Sequence, residues 1–371
     1  MKKTCDKINI EIKGFDNMRI INVFKQKNIT SGYLYFYIHF ITELICFYVL
    51  SQIIGNNIVL WISPFIYDAI AFAPQSIIGY ISDKYPKINF GIIGIILLII
   101  GLFTFKLNLL PGLYTELIIL SLGNAFIHVA GAEVTLRSSN GKLSHSAIFV
   151  SGGSFGVITG KLLGNANYSY LIISLLGLTM IPFVLLAEYY RKETNNLPCK
   201  NFNYHNDKMN PIILIILTVL IVIVRGYMGY GIPTSWNKTM LQSILLYSFM
   251  GIGKAMGGIL SDAIGIKKTA IISIVGALPF LLFGDNIMII SLIGVMLFSM
   301  TMSITLALLV SVLKNTPGLA FGLTTIGLFL GTVPIFFVKF STRINSLIII
   351  ILTIVCLIIM LKLLRKEKQN E

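Results

Sequence analysis

The residues of this 371-residue chain that could do chemistry are polar and charged groups set inside long apolar runs. His39 and Glu43 stand four apart, on one face of a helix, and pair a base with an acid that could pass a proton. Ser121, Asn124 and His128 make a similar polar stripe, and Asp68, Arg225 and Lys254 each interrupt an apolar run. Charge inside a membrane is expensive, and it marks a cavity, a partner or an ion path. Proton transfer and ligand binding are therefore the chemistries these types support. No phosphate loop, nucleophile elbow or metal-ligand cluster accompanies them, so neither an enzyme nor an ATP-driven pump is expected, and no cofactor or metal. The cysteines Cys5, Cys46, Cys199 and Cys356 show no paired spacing, so no disulfide or zinc site is expected.

The elements that must position these groups follow from composition. The chain is 56% hydrophobic and only 12% charged, against about 25% charged in an average soluble domain. Apolar runs lie near 31–54, 59–81, 89–106, 112–134, 145–163, 167–187, 210–232, 239–261, 267–284, 286–312, 317–339 and 344–364. Runs of about 18 residues cross a bilayer as helices, whereas barrel strands are about half as long. The expected fold class is an all-α polytopic membrane protein of twelve spans. At about 1.5 Å per residue, Glu43, Asp68 and Arg225 fall roughly 18–23 Å from the inner ends of spans 1, 2 and 7, near mid-membrane. His39, His128 and Lys254 fall about 9–12 Å from that side, where Lys254 is expected to snorkel to the interface. Glu43 and Arg225 read either as an ion pair joining two halves or as a proton site and a substrate site. Glu133 and Arg137, four apart near an inner end, read as a local ion pair.

Basic residues set the topology. Of the 29 Lys and Arg, 22 fall in the N-terminal arm, the even-numbered loops and the C-terminal tail. Positive residues stay in the cytoplasm, which places both termini there. The net charge of +14 then matches an anionic lipid surface, and nucleic acid is not an expected partner. No cleavable leader is expected, because the first apolar run is long and a charged arm precedes it.

One motif occurs twice. "GYISDKYPK" at 79–87 returns as "GILSDAIGIKK" at 258–268, 179 residues on, and the same shift carries the start of span 1 onto that of span 7. The expected organisation is a cytoplasmic arm (1–30), a six-helix bundle (31–187), a polar linker (188–209), a second six-helix bundle (210–364) and a tail (365–371). A Gly four residues before an Asp, with basic residues following, resembles the signature turn of the major facilitator superfamily. It falls between spans 2 and 3 and again between spans 8 and 9. The resemblance implies two six-helix repeats working by alternating access, with spans 5 and 8, and 2 and 11, meeting across the halves. As gating residues it singles out Gly79, Asp83, Lys84, Gly258 and Asp262. Arg137, 54 residues after Asp83, and Lys314, 52 after Asp262, are the candidate basic partners; the aspartates could equally face helix N-termini. Small residues at Gly152, Gly156 and Gly160, at Gly253 and Gly257, and at Gly318 and Gly322 allow close helix approach, as moving halves need.

A more specific resemblance lies in "HFITEL" (39–44), "APQSIIGYISDKYPK" (73–87) and "GNAFIHVAGAEVTLRSSNGKLSHSAIFVSGGSFG" (123–156), which are similar to the fosmidomycin-resistance branch of that superfamily. His39, Glu43, Gln75, Asp83, His128, Gly152, Gly153 and Gly156 match its pattern; Glu43 stands where Asp is usual. The resemblance implies a proton-driven exporter, an antiporter of a small drug-like or anionic molecule, in a bacterial inner membrane. Expected proton-coupling residues are Glu43, His39 and Asp68; expected substrate contacts are Arg225, Asn124, His128 and Gln75. A monomer is the expected state. A proton-linked uptake permease is the runner-up, and a non-transporting membrane sensor or assembly subunit is the alternative from another class.

Overall fold

The computed structural model describes residues 30–56, 62–107, 113–194, 197–202, 204, 209–338 and 340–364. The arm 1–30 (but for Thr30), the tail 365–371 and part of the linker lie outside the described residues. Span 1 is Thr30–Asn56, span 3 Phe90–Leu107, span 4 Leu113–Arg137, span 5 Ser144–Asn165, span 7 Pro211–Gly231 and span 8 Met240–Ile264. Span 9 is Ile266–Phe283, span 11 Pro317–Phe337 and span 12 Thr342–Leu363. Three spans are each made of two pieces: span 2 (Ser63–Phe72, Gln75–Lys84), span 6 (Tyr170–Leu178, Met180–Thr194) and span 10 (Met288–Ser299, Thr301–Val312). In span 2 the break falls at Ala73-Pro74, where proline has no N–H to continue the ladder. The twelve spans stand as two six-helix repeats, and the described residues contain no strand. Among the described residues, ten helices are long and apolar enough to cross a membrane, and Phe90–Phe105 is a shorter apolar one. Span 6 runs to Thr194, so the first part of the expected linker is helical.

The end of the bundle that carries residues 30 and 364 is called proximal below, the other distal. Spans 1 and 5 form the most extensive helix contact. Its cause is the glycine row of span 5. Cβ atoms at Gly152, Gly156, Gly160 and Gly164 would lie 2.3–2.7 Å from the carbonyl oxygens of Phe36, Phe40, Leu44 and Tyr48. Only hydrogen fits there. The row therefore locks two helices of one six-helix set together, where the spacing had suggested a moving interface. Gly253 and Gly257 likewise face the carbonyls of Met296 and Met300 in span 10, in their own set. The main pairs that cross between the sets are spans 5 with 8 and 2 with 11, and span 11 also packs on span 4. A Cβ at Gly79 would sit 2.1 Å from Gly318 O, and one at Gly322 would sit 2.3 Å from Ser76 Cα.

Polar contacts close the proximal end. Ser31 and Ser138 hydroxyls lie 2.8 Å apart. The linker segment 197–202 packs in the same place: Cys199 N donates to Lys314 O at 2.9 Å, and Arg137 donates to Leu197 O. Cys46, Cys199 and Cys356 are free and buried. Burial pushes the Cys199 thiol up to about 12, so it stays protonated at neutral pH.

Candidate functional site

Two constellations stand out, one at the proximal end and one in the middle of the bundle. At the proximal end Asp83 accepts from Gly318 N (3.1 Å) and Leu319 N (2.8 Å), the first amides of span 11. Those amides have no partner within their own helix and carry its positive end. Asp262 does the same for span 5, accepting from Leu143 N at 2.8 Å and Ser144 N at 3.0 Å. Each aspartate thus caps a helix of the opposite six-helix set. Arg137 joins Asp83 at 3.2 Å and Glu133 at 3.2 Å, and it also donates to Asn315 O at 3.3 Å.

The second turn departs from the expected symmetry. Among the described residues, no ion pair joins Asp262 to Lys314; the two backbone amides already supply its donors. Lys84 is exposed, its ammonium 5.6 Å from the Tyr85 ring, and it takes no part in the closure.

In the middle of the bundle lies a cavity of about 400 Å³. His39, Glu43, Asp68 and His128 line it from the first six spans, and Arg225 and Lys254 from the second six. At its distal side Lys161 of span 5 donates to the Tyr247 hydroxyl of span 8 at 2.8 Å. Phe65 of span 2 packs on Phe329, Phe336 and Phe337 of span 11, with ring centroids 5.3–5.9 Å apart. The cavity therefore sits between a hydrogen-bonded proximal closure and an aromatic distal contact.

Glu43 has four polar neighbours, two of which hydrogen-bond it. Tyr67 Oη donates to Oε2 at 3.0 Å and Asn124 Nδ2 donates to Oε1 at 3.0 Å. His39 Nε2 and His128 Nε2 each lie 3.6 Å from Oε1. The two imidazoles meet edge to face at 4.3 Å, and Phe321 of span 11 stacks on His128 at 6.3 Å. All three titratable groups are no more than 5% exposed. The structure thus joins His39, Glu43, Asn124 and His128 into one centre. It does not bring Glu43 to Arg225, whose guanidinium instead donates to Thr305 Oγ1 at 3.1 Å. The reason is that Tyr67, Asn124 and the two histidines already surround the carboxylate.

Other expected residues fall elsewhere. Gln75 is fully buried outside the cavity wall, donating to Ala71 O at 2.6 Å where span 2 meets span 11. Asn124 serves Glu43 rather than the cavity. Lys254, expected at the interface, lines the cavity instead. Among the described residues, Arg225, Lys254 and Asp68 take part in no ion pair. Sequence reasoning missed Tyr67 and the Lys161–Tyr247 contact. Tyr67 had a signal, since it adjoins Asp68 in an apolar run; the Lys161 contact joins residues 86 apart and had none.

No family model matches the sequence, and no curated protein does. Solved structures do match in shape. A crystal structure of a bacterial homologue of the iron transporter ferroportin, in an outward-facing state, has a TM-score of 0.57 at 14% identity, covering 91% of this chain and 99% of the other. The human organic anion transporter MFSD10 (TETRAN) gives 0.59 at 11% identity, covering 92% and 100%. The Major Facilitator Superfamily transporter FucP, in the outward conformation, gives 0.52 at 13%, covering 88% and 99%. At these identities the likeness shows the fold. It is the major facilitator fold.

Proposed function

We propose that the protein is a secondary active transporter that exports a small molecule bearing an anionic group, in exchange for protons, by alternating access. The observation that carries this reading is the reciprocal closure. Asp83 and Asp262 each cap a helix of the opposite six-helix set, above a cavity that draws charged groups from both sets. Such contacts form or break only when the sets rotate against each other, which is what alternating access requires. On this reading the moving bodies are 31–187 and 210–364, joined by 188–209. The proximal end is cytoplasmic, because most of the basic residues in the described turns between spans lie there. The chain works as a monomer in a bacterial inner membrane.

Arg225 and Lys254 hold the anionic group. Both are cations on the cavity wall without an acidic partner among the described residues, and a buried charge calls for one. Asp68 carries the proton. It lines the cavity near Lys161 and Tyr230 without an ion pair, whereas Glu43 is fixed by hydrogen bonds from Tyr67 and Asn124. An acid that must shed its charge when the cavity loses water is suited to exchange a proton between the two sides. Export rather than uptake follows the resemblance of 39–44, 73–87 and 123–156 to the fosmidomycin-resistance branch.

The test is flux in proteoliposomes with an imposed pH gradient and a panel of small organic anions, cations and neutral compounds. An anion should move against its gradient when protons run the other way. Asp68→Asn should abolish that accumulation while anion exchange across the membrane persists. Flux indifferent to the pH gradient would reject proton coupling, and proton-driven uptake in place of efflux would reverse the direction. No flux for any compound would favour a sensor or assembly subunit on the same fold.

A further inference from the structure

We propose that His39, Glu43 and His128 form a binding site for a divalent first-row transition-metal ion in the wall of the central cavity. The ligand atoms are Nε2 of each imidazole and Oε1 of Glu43, all within 4.8 Å of one another. The hydrogen bonds behind them decide which ring nitrogens are free. Nδ1 of His39 lies 3.0 Å from Phe149 O, and Nδ1 of His128 lies 3.0 Å from Asn124 O. A carbonyl oxygen only accepts, so each Nδ1 carries the hydrogen and each neutral ring turns a lone pair, through Nε2, toward Glu43. Two lone pairs and a carboxylate oxygen converge on one buried volume. A positive ion there would neutralise the repulsion among them.

Spacing separates a metal from a shared proton. A charge-assisted N–H···O bond draws its heavy atoms to about 2.7–2.9 Å, yet each Nε2 stands 3.6 Å from Oε1. An ion with bonds of about 2.1 Å holds tetrahedral ligands about 3.4 Å apart. The two nitrogen-to-oxygen gaps fit the ion, and the two nitrogens, within 4.8 Å of each other, draw together on binding it. The donor set agrees, because two imidazoles and one carboxylate suit Zn²⁺, Fe²⁺ or Co²⁺, while Ca²⁺ and Mg²⁺ prefer oxygen.

The surroundings are those of a held ligand set. Backbone carbonyls fix both rings, and Tyr67 and Asn124 fix the carboxylate. Gly153 leaves room for the His39 ring, since a Cβ there would lie 2.4 Å from Nε2. All three ligands line the cavity, so the remaining coordination positions open into it. A cation held there stands on the path between the two closures, where cargo would pass.

The experiment needs binding only, so it stands apart from the transport reading. Purified full-length protein, stripped with chelator and kept in nanodiscs, is titrated with Co²⁺ while its visible absorption is followed, then with Zn²⁺ as competitor. The expected result is one Co²⁺ per chain, displaced by Zn²⁺ and not by Mg²⁺. Glu43→Gln and His128→Gln should each weaken it by about 100-fold or more. His145→Gln, a buried histidine outside the cavity, should leave it unchanged. Thermal melting checks that each variant folds, and His39→Gln replaces any that does not. Absence of a Co²⁺ spectrum, or one that survives the ligand substitutions, would overturn the site while leaving proton-driven flux untouched. Loss of flux with Co²⁺ binding intact would sink the transport reading and leave the site standing.

Discussion

Replacing Asp83 with Asn tests the proximal closure at its most connected residue. The carboxylate accepts two backbone N–H bonds from span 11 and pairs with Arg137, with both side chains under 5% exposed. A hydrogen bond to a charged group contributes about 1.5–3 kcal/mol and a neutral one about 0.5–1.5. Asparagine keeps one neutral acceptor, but turns its NH₂ toward the second amide or toward Arg137, where nothing accepts. Arg137 keeps Glu133. Relief from burying a charge offsets part of the loss, leaving a net cost to the closed state of about 2–3 kcal/mol. At 1.4 kcal/mol per decade, the closed-to-open ratio should fall about 30- to 150-fold. Spin labels at Lys87 and Lys268, exposed near the ends of the two motifs, would report it as a longer distance by pulsed EPR. Anion affinity should change by no more than about threefold, because Asp83 does not line the cavity. An unchanged distance distribution with unchanged transport would remove Asp83 from the closure.

Other substitutions separate switching from folding and from cargo. Asp262→Asn should shift the same distance distribution less than Asp83→Asn, because Asp262 accepts two amides and has no ion-pair partner among the described residues. Gly156→Ala puts a Cβ 2.3 Å from Phe40 O inside the span 1–5 contact, so it should lower the melting temperature without favouring either open state. Arg225→Ala should weaken binding of anionic compounds by about tenfold or more while neutral ones are spared, read by ligand-induced thermal shift.

Much of the architecture was legible because oil and charge are hard to disguise. Twelve runs of membrane length became twelve spans, and the 179-residue shift relates two turns that occupy equivalent positions. Span 2 departs from a single helix at Ala73-Pro74, for the reason any proline gives. The site was half legible. His39 and Glu43 share a face by local periodicity, but the approach of His128 depends on how span 4 packs against span 1, which no local rule supplies. Similar spacing in the two repeats, 54 and 52 residues, suggested a Lys314–Asp262 pair to match Arg137–Asp83. Spacing can place a side chain near an acid, but it cannot show that backbone amides have already met that acid's needs. The glycines of span 5 show the same limit: their period says that something comes close, and only packing says that it is span 1.

Both aspartate caps take their donors in the opposite six-helix set from main chain. Substituting Leu143, Ser144, Gly318 or Leu319 with alanine leaves every amide in place, so the receiving half of each contact is invisible to a scan that trims side chains. Such a scan would report one-sided latches, each confined to the six-helix set that carries the aspartate: Asp83 with Arg137 in the first set and Asp262 in the second. Proline is the substitution that deletes an N–H, and Leu319 and Ser144 are the positions where it would remove a donor that the opposite six-helix set relies on. Drift in the residue types that begin spans 5 and 11 can therefore leave the donors untouched, provided the chain stays helical and avoids proline there.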